Sequence, residues 1–115
     1  MLAAPHRLRR SADFTLTVRQ GVRAGRSNLV VHCLLRSSNE PSRVGFTVGS
    51  SVGNSVVRHR ISRQLREIMK PLLATVPVGA NVVVRALPGA ATCTRDALVA
   101  DLTGGLATAL KKAGA

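Results

Sequence analysis

Aromatic residues are almost absent. The 115-residue chain has two phenylalanines, Phe14 and Phe46, and neither tryptophan nor tyrosine. Any core must therefore be aliphatic, built from the Val, Leu and Ala that dominate a hydrophobic share of 45%. The same scarcity argues against a helix lying on a membrane surface, which needs large rings to anchor it in lipid. No apolar run approaches the roughly 18 residues of a membrane-spanning helix. A secretory signal is not visible either: the N-terminus is basic, but no apolar stretch follows it.

Acids are scarce as well. There are five: Asp13, Glu40, Glu67, Asp96 and Asp101. Metal-dependent cleavage of a phosphodiester needs carboxylates gathered around magnesium. Only Asp96 and Asp101 are close in sequence, and their spacing does not put them on one helical face. No Ser/His/Asp or Cys/His set stands out, so the pattern weighs against a nuclease with its own active site. The two cysteines, Cys33 and Cys93, have no paired metal-ligand spacing. They read as two reduced, partly buried thiols of a cytosolic protein, with a single disulfide as the alternative. The length fits one domain, residues 1–115.

What the chain does have is cations. Lys plus Arg number 17, giving a formal net charge of +12. Fourteen of the seventeen are arginine. Guanidinium groups grip phosphate bidentately and stack on bases, so this bias favours a nucleic-acid partner over a merely solvated surface. The arginine-rich, acid-poor first third resembles a transit peptide in composition. Asp13 and the ordered pattern that follows favour folded structure instead.

Residues 1–10 read as an extended basic arm. Ser11 is a candidate N-cap for a short helix carrying Phe14, Leu16 and Val18 and ending at Gly21. "NLVVHCLL" (28–35) is a strand with Leu29, Val31, Cys33 and Leu35 on one face and Val30 and His32 on the other. A turn over 37–42 leads to "RVGFTVG" (43–49), with Val44, Phe46 and Val48 opposite Gly45 and Thr47. These two strands are expected to form a hairpin. A helix follows from Asn54 to about Lys70, with Pro71 and Pro77 punctuating what comes after it. A third strand covers 81–87, and a last helix is capped by Thr92 or Thr94. Its stripe is Leu98, Leu102, Leu106 and Ala109, with Gly104 and Gly105 weakening it by about 1 kcal/mol each. A short extra strand is expected near 22–24. The tail from Lys111 is left open between order and fraying. The sum is an α+β or α/β arrangement, a small sheet with helices packed on it.

The helix after Asn54 carries the chemistry. Val57, Ile61, Leu65, Ile68 and Leu72 fall within about 80° of one another at 3.6 residues per turn. His59, Arg63, Arg66 and Lys70 lie opposite, with Arg60 just beyond and Arg58 on the flank. Ordinary polar faces mix signs, often with Glu four residues before Lys or Arg. Here Glu67 is the sole acid between residues 54 and 70. Like charges three and four residues apart repel, so this face is built for a polyanion. The preceding "GSSVGN" adds backbone N–H donors at a helix start, which attract phosphate.

"VGNSVVRHRISRQLRE" resembles the signature of the bacterial ribonuclease P protein subunit, in which an Arg-Asn-Arg motif lies on such a helix after Gly-Asn. The likeness extends to "HRLRRSADF", "RVGFTVG" and "VVVRALPGA", and covers about residues 6–112. It implies an α+β fold in the order αββ(β)αβα, a small mixed sheet of about four strands with three helices on it. It also implies a left-handed β-α-β crossover, against the usual rule. The implied partner is a large catalytic RNA, bound one to one in the cytoplasm. Together they would remove the 5′ leader of precursor tRNA by magnesium-assisted hydrolysis. Magnesium would sit with the RNA; the protein alone would hold no cofactor and supply no catalytic residue.

Carried over by position, the surface facing the catalytic RNA is Ser50, Ser51, Gly53, Asn54, Arg58, His59, Arg60, Arg63 and Arg66. The cleft for the single-stranded leader is Phe14, Val18, Val30, His32, Thr47 and Arg85, and the basic arm contributes Arg7, Arg9 and Arg10. Phe14 has a plain core role as its alternative. His32 is expected to be exposed, at a position the family often fills with an aromatic that stacks on a base. The chain departs from the family pattern at His59, in place of the motif's Asn, and at Ser62, Ser50 and Ser51, where lysines are usual. Val18 replaces a second aromatic. A general RNA-binding structural protein or RNA chaperone is the competing reading.

Overall fold

The computed structural model describes residues 4–115; positions 1–3 of the basic arm lie outside them. The elements run α1 (Ser11–Gln20), β1 (Val22–Gly25), β2 (Leu29–Leu35), β3 (Arg43–Thr47), α2 (Ser55–Leu72), β4 (Ala80–Ala86) and α3 (Arg95–Lys112), with short 3-10 turns between some of them. The four strands form one mixed sheet in the order β1-β2-β4-β3. β1 and β2 are antiparallel, as are β2 and β4, while β3 and β4 are parallel. The parallel pair is joined through α2, which makes a β-α-β crossover. The α+β class, the element order and the extra strand at Val22–Gly25 follow the expectation.

The expected hairpin between β2 and β3 does not exist. β4 lies between them, and the hairpin is β1–β2, with Val22 opposite Cys33 and Gly25 opposite Val30. The reason lies in β4 itself. Its Val82, Val83 and Val84 are all fully buried, so both of its faces are covered, as suits a central strand.

The two faces of the sheet are sealed differently. α2 and α3 close one over an aliphatic cluster that includes Leu29, Val31, Val44, Ile61, Leu65, Val82, Val84, Leu98, Leu102 and Leu106. α1 lies against β2 and β4 on the other. Gly105, read from sequence as a weak point in α3, is a point of close approach. A Cβ there would press on Val31 and on Arg26. Asp101 is buried on the same helix and ties it to the β1–β2 turn. Its carboxylate accepts from the Asn28 backbone N–H at 3.1 Å and from Asn28 Nδ2 at 3.0 Å, and it pairs with Arg26 at 3.5 Å.

The helix termini bring smaller corrections. Ser11 does not cap α1; it is the first helical residue, after Arg10 in extended conformation. Thr94 does cap α3, accepting from the Ala97 N–H at 3.1 Å. α2 runs through Pro71 to Leu72; in a last turn the ring interrupts little of the remaining hydrogen-bond ladder. The tail is tied down, with the Ala115 N–H donating to the Leu110 carbonyl at 3.0 Å. The basic arm is not loose either. His6 Nδ1 donates to the Ser42 carbonyl at 2.8 Å, and the Leu8 N–H to the Val44 carbonyl at 3.0 Å. Leu8 is buried, so the arm lies along the free edge of β3 with Arg7, Arg9 and Arg10 on its outer side.

Candidate nucleic-acid interface

α2 starts where its sequence says it should. Asn54 is the N-cap, and its Oδ1 accepts from the Val57 N–H at 3.0 Å. Satisfying an otherwise orphaned donor stabilises a helix by about 1 kcal/mol. It also occupies one lone pair of the Asn54 oxygen, while the amide nitrogen stays available as a donor. Ile61, Leu65, Ile68 and Met69 are buried, with Val57 and Leu72 partly so. His59, Arg60, Arg63, Arg66 and Lys70 are exposed.

Among the described residues no acid neutralises that exposed row. Arg60 Nη2 donates to the Ala91 carbonyl at 2.9 Å, a neutral acceptor that leaves most of the guanidinium fork open. Glu67 turns away to Arg95, at 3.6 Å. Arg66 lies over the Phe46 ring, 6.0 Å from its centroid. Arg58, on the flank, is half-buried, with a shielded Nε that has no hydrogen-bond partner. It lines a shallow groove with Val48, Ser55, His59 and Ser62. Ser50 and Ser51 are exposed on the loop before the helix, and Gly53 is half-buried beside Val57.

A second concavity of about 290 Å³ opens between α1 and the sheet. Val18, His32, Thr47 and Arg85 line it together, with Val83 and Ser51. Four of the six cleft candidates therefore meet, and Ser51 links this cleft to the loop before α2. Val30 is buried and does not line it. Phe14 is also elsewhere. It sits one helical turn before Val18 and packs on Gly45, where a Cβ would collide with its ring.

His32 corrects an expectation. It is 6% exposed, not open to solvent. Alternation along β2 gave it the face opposite the aliphatic cluster, but α1 covers that face too. Its Nδ1 is buried with no hydrogen-bond partner. Burial, then the nearby Arg23 and Arg85 guanidiniums, hold the imidazole below its usual pKa of 6.5. The folded state thus favours neutral His32, while an unfolded chain would protonate near 6.5. Stability from this group is present above that value and is lost as pH falls below it toward the depressed folded pKa. The His32→Gln variant is expected to lose less stability than the parent between about pH 7 and pH 5. Urea midpoints at the two pH values check this, and equal losses in both proteins would contradict it.

Sequence reasoning missed a third concavity, at the free edge of β3, where Phe14, Phe46, Arg9 and Arg66 come together. The available signal was that the chain has two aromatics and both lie on elements next to this edge.

Comparison with known proteins agrees with this geometry. The Ribonuclease P family model matches residues 2–110. The ribonuclease P protein component of Arthrobacter sp. (strain FB24) is 48% identical, over 99% of this chain and 84% of its own length. That of Rhodococcus opacus (strain B4) is 49% identical, over 92% of this chain and 90% of its own. Among solved structures, the RNase P protein of Staphylococcus aureus superposes with a TM-score of 0.74 at 25% identity, covering 94% of each chain. The RNase P protein of Thermotoga maritima gives 0.75 at 24% identity, covering 85% of this chain and 94% of that one, and shares the fold.

Proposed function

The chain belongs to the ribonuclease P protein family, and from that premise we propose how its surfaces divide the work of the ribonucleoprotein. Membership makes ribonuclease P RNA its partner and tRNA processing its context. In our reading, the cationic face of α2 and the loop before it grip that RNA. The observation that carries this is the row Arg60, Arg63, Arg66 and Lys70: exposed, with no carboxylate against it among the described residues. The cleft of Val18, His32, Thr47 and Arg85 takes the single-stranded 5′ leader of precursor tRNA. Arg85 offers a phosphate contact, and the exposed Thr47 offers a hydroxyl to a base.

The RNA, with its magnesium, performs the hydrolysis, and the protein binds it one to one. Where the acids sit supports this division. Glu40 pairs with Arg36 and Arg43, Glu67 with Arg95, and Asp101 with Arg26. Among the described residues no three His, Cys, Asp or Glu side chains gather as a metal-binding group. No helix among them is long and apolar enough to cross a membrane, and we assign the protein to the cytoplasm with its RNA.

The test is reconstitution with a bacterial ribonuclease P RNA and a precursor tRNA at low magnesium. Leader removal is expected to be faster than with RNA alone. The gain should shrink when the substrate lacks its leader. A rate equal to that of the RNA alone would sink the reading.

A further inference from the structure

Among the described residues Asp101 is the one buried acid. A carboxylate taken out of water destabilises the fold unless its oxygens are matched. Here Oδ2 accepts from both the backbone N–H and the Nδ2 of Asn28, and Oδ1 pairs with Arg26. Two of the three partner groups thus belong to Asn28. Asn28 in turn grips the segment after β4 at two points. Its backbone carbonyl accepts from the Leu87 N–H at 2.9 Å. Its side-chain oxygen lies so close to Gly89 that a Cβ there would sit 2.5 Å from it. Beyond this clamp, Pro88–Ala91 form a tight 3-10 turn. The Gly89 carbonyl accepts from the N–H groups of Thr92 and Cys93, at 3.3 and 3.0 Å, and Ala90 is buried beneath. The turn so fixed presents the Ala91 carbonyl to α2, where it accepts from Arg60 Nη2. The Asp101 carboxylate is close enough to the end of this turn to act on Cys93, whose thiol pKa is raised by burial and then by that charge. An unbroken set of contacts therefore runs from a buried acid on α3 to an exposed cation on α2.

Arg60 gains from being held. A long exposed side chain loses rotamer freedom when a partner immobilises it, and that loss weakens binding. A guanidinium already pinned to a neutral acceptor has less freedom to lose, and its remaining donors stay open to phosphate. We propose that Asp101, acting through Asn28 and the Pro88–Ala91 turn, is a positioning residue for Arg60 and holds its guanidinium ready for the phosphates of the partner RNA. Asp101 itself, 8% exposed, touches no RNA in this role. The role rests on the RNA contact assigned to α2 above. It also makes a prediction of unexpected sign. Removing a negative charge from a strongly basic protein should by itself tighten its hold on RNA; removing this one is expected to loosen it.

A double-mutant cycle on the full chain, assembled with ribonuclease P RNA, tests this. Asp101→Ala removes both acceptor oxygens. Its affinity for the RNA, corrected to the folded fraction, is expected to fall by about 2- to 10-fold, the worth of one ordered side chain. Asp101→Asn deletes the same charge but keeps an oxygen that can accept both Asn28 bonds, and it is expected to bind as the parent does. In the Arg60→Ala background, Asp101→Ala is expected to weaken binding no further. An acid that only stabilised the fold would act equally in both backgrounds. Should Asp101→Ala fail to fold, Asn28→Ala enters the same cycle; it removes the side chain held by Asp101 but keeps the backbone carbonyl that holds Leu87. Parental affinity in the folded single variant, or the same fold-loss with and without Arg60, overturns the proposal. Arg60→Ala alone separates the failures. If it weakens RNA binding and no coupling is found, only the positioning role is wrong; if it binds as the parent does, the α2 surface is wrong as well.

Discussion

Replacing Arg60 and Arg63 with alanine is expected to weaken binding to ribonuclease P RNA by about 1–3 kcal/mol for each side chain, the worth of a charge-assisted contact. That is roughly 5- to 150-fold apiece, less any coupling between neighbours on one helix face. Arg60 is steadied by the Ala91 carbonyl at 2.9 Å, which orients the guanidinium without cancelling its charge. Arg63 is exposed on the same face. Each lost phosphate contact should also lower the slope of log affinity against log salt by about 0.7–0.9. The folded state should barely change, since exposed substitutions stay within about 0.5 kcal/mol. Binding titrations at several salt concentrations, with thermal melts as the control, provide the check. Parental affinity and parental slope in the double variant would remove α2 from the interface.

The largest effect on stability is expected on the other side of the same helix. Leu65 is fully buried in the aliphatic cluster, alongside Ile61 and Met69. Leu65→Ala removes that contact area and leaves a cavity, a change that costs about 2–5 kcal/mol in well-packed cores. This is a large part of the 5–15 kcal/mol typical of a whole domain. Urea unfolding followed by circular dichroism suits the measurement, because the chain has no tryptophan to report by fluorescence. Affinity for RNA, corrected to the folded fraction, should stay at the parental level, since the cationic row faces away from the cavity. A cost below about 1 kcal/mol would mean that α2 is not seated on the core through this stripe.

Much of this architecture was legible because it is written locally. The α2 stripe, the start of α2 at Asn54 and the alternation in β2 and β3 each depend on neighbours within a few residues. Strand pairing is different. Nothing near β2 or β3 says that β4 will separate them, and the three consecutive buried valines were the clue that went unread. His32 failed for a related reason. Alternation assigns a residue to a face but does not say whether another element covers it, and here α1 does. Gly105 looked like a helix defect because its partner, Val31, is remote in sequence. At the candidate site, the exposed face of α2 was legible because one helix carries it. The residues of the second concavity were grouped only in part because several elements build it, and a one-turn offset puts Phe14 at a different cavity from Val18.

The central position of β4 also sets the order in which the chain can be assembled. Val31 pairs with Val84, 53 positions later, and Val44 with Val82. During synthesis the β1–β2 ribbon can close early, since its two strands are adjacent, but β3 has only the N-terminal arm beside it until β4 leaves the ribosome. Long-range pairings of this kind slow folding, because the intervening loop must be ordered first. Through that interval the nascent polypeptide carries the arginines of α2 on a helix whose greasy side still lacks the cover of β4 and α3.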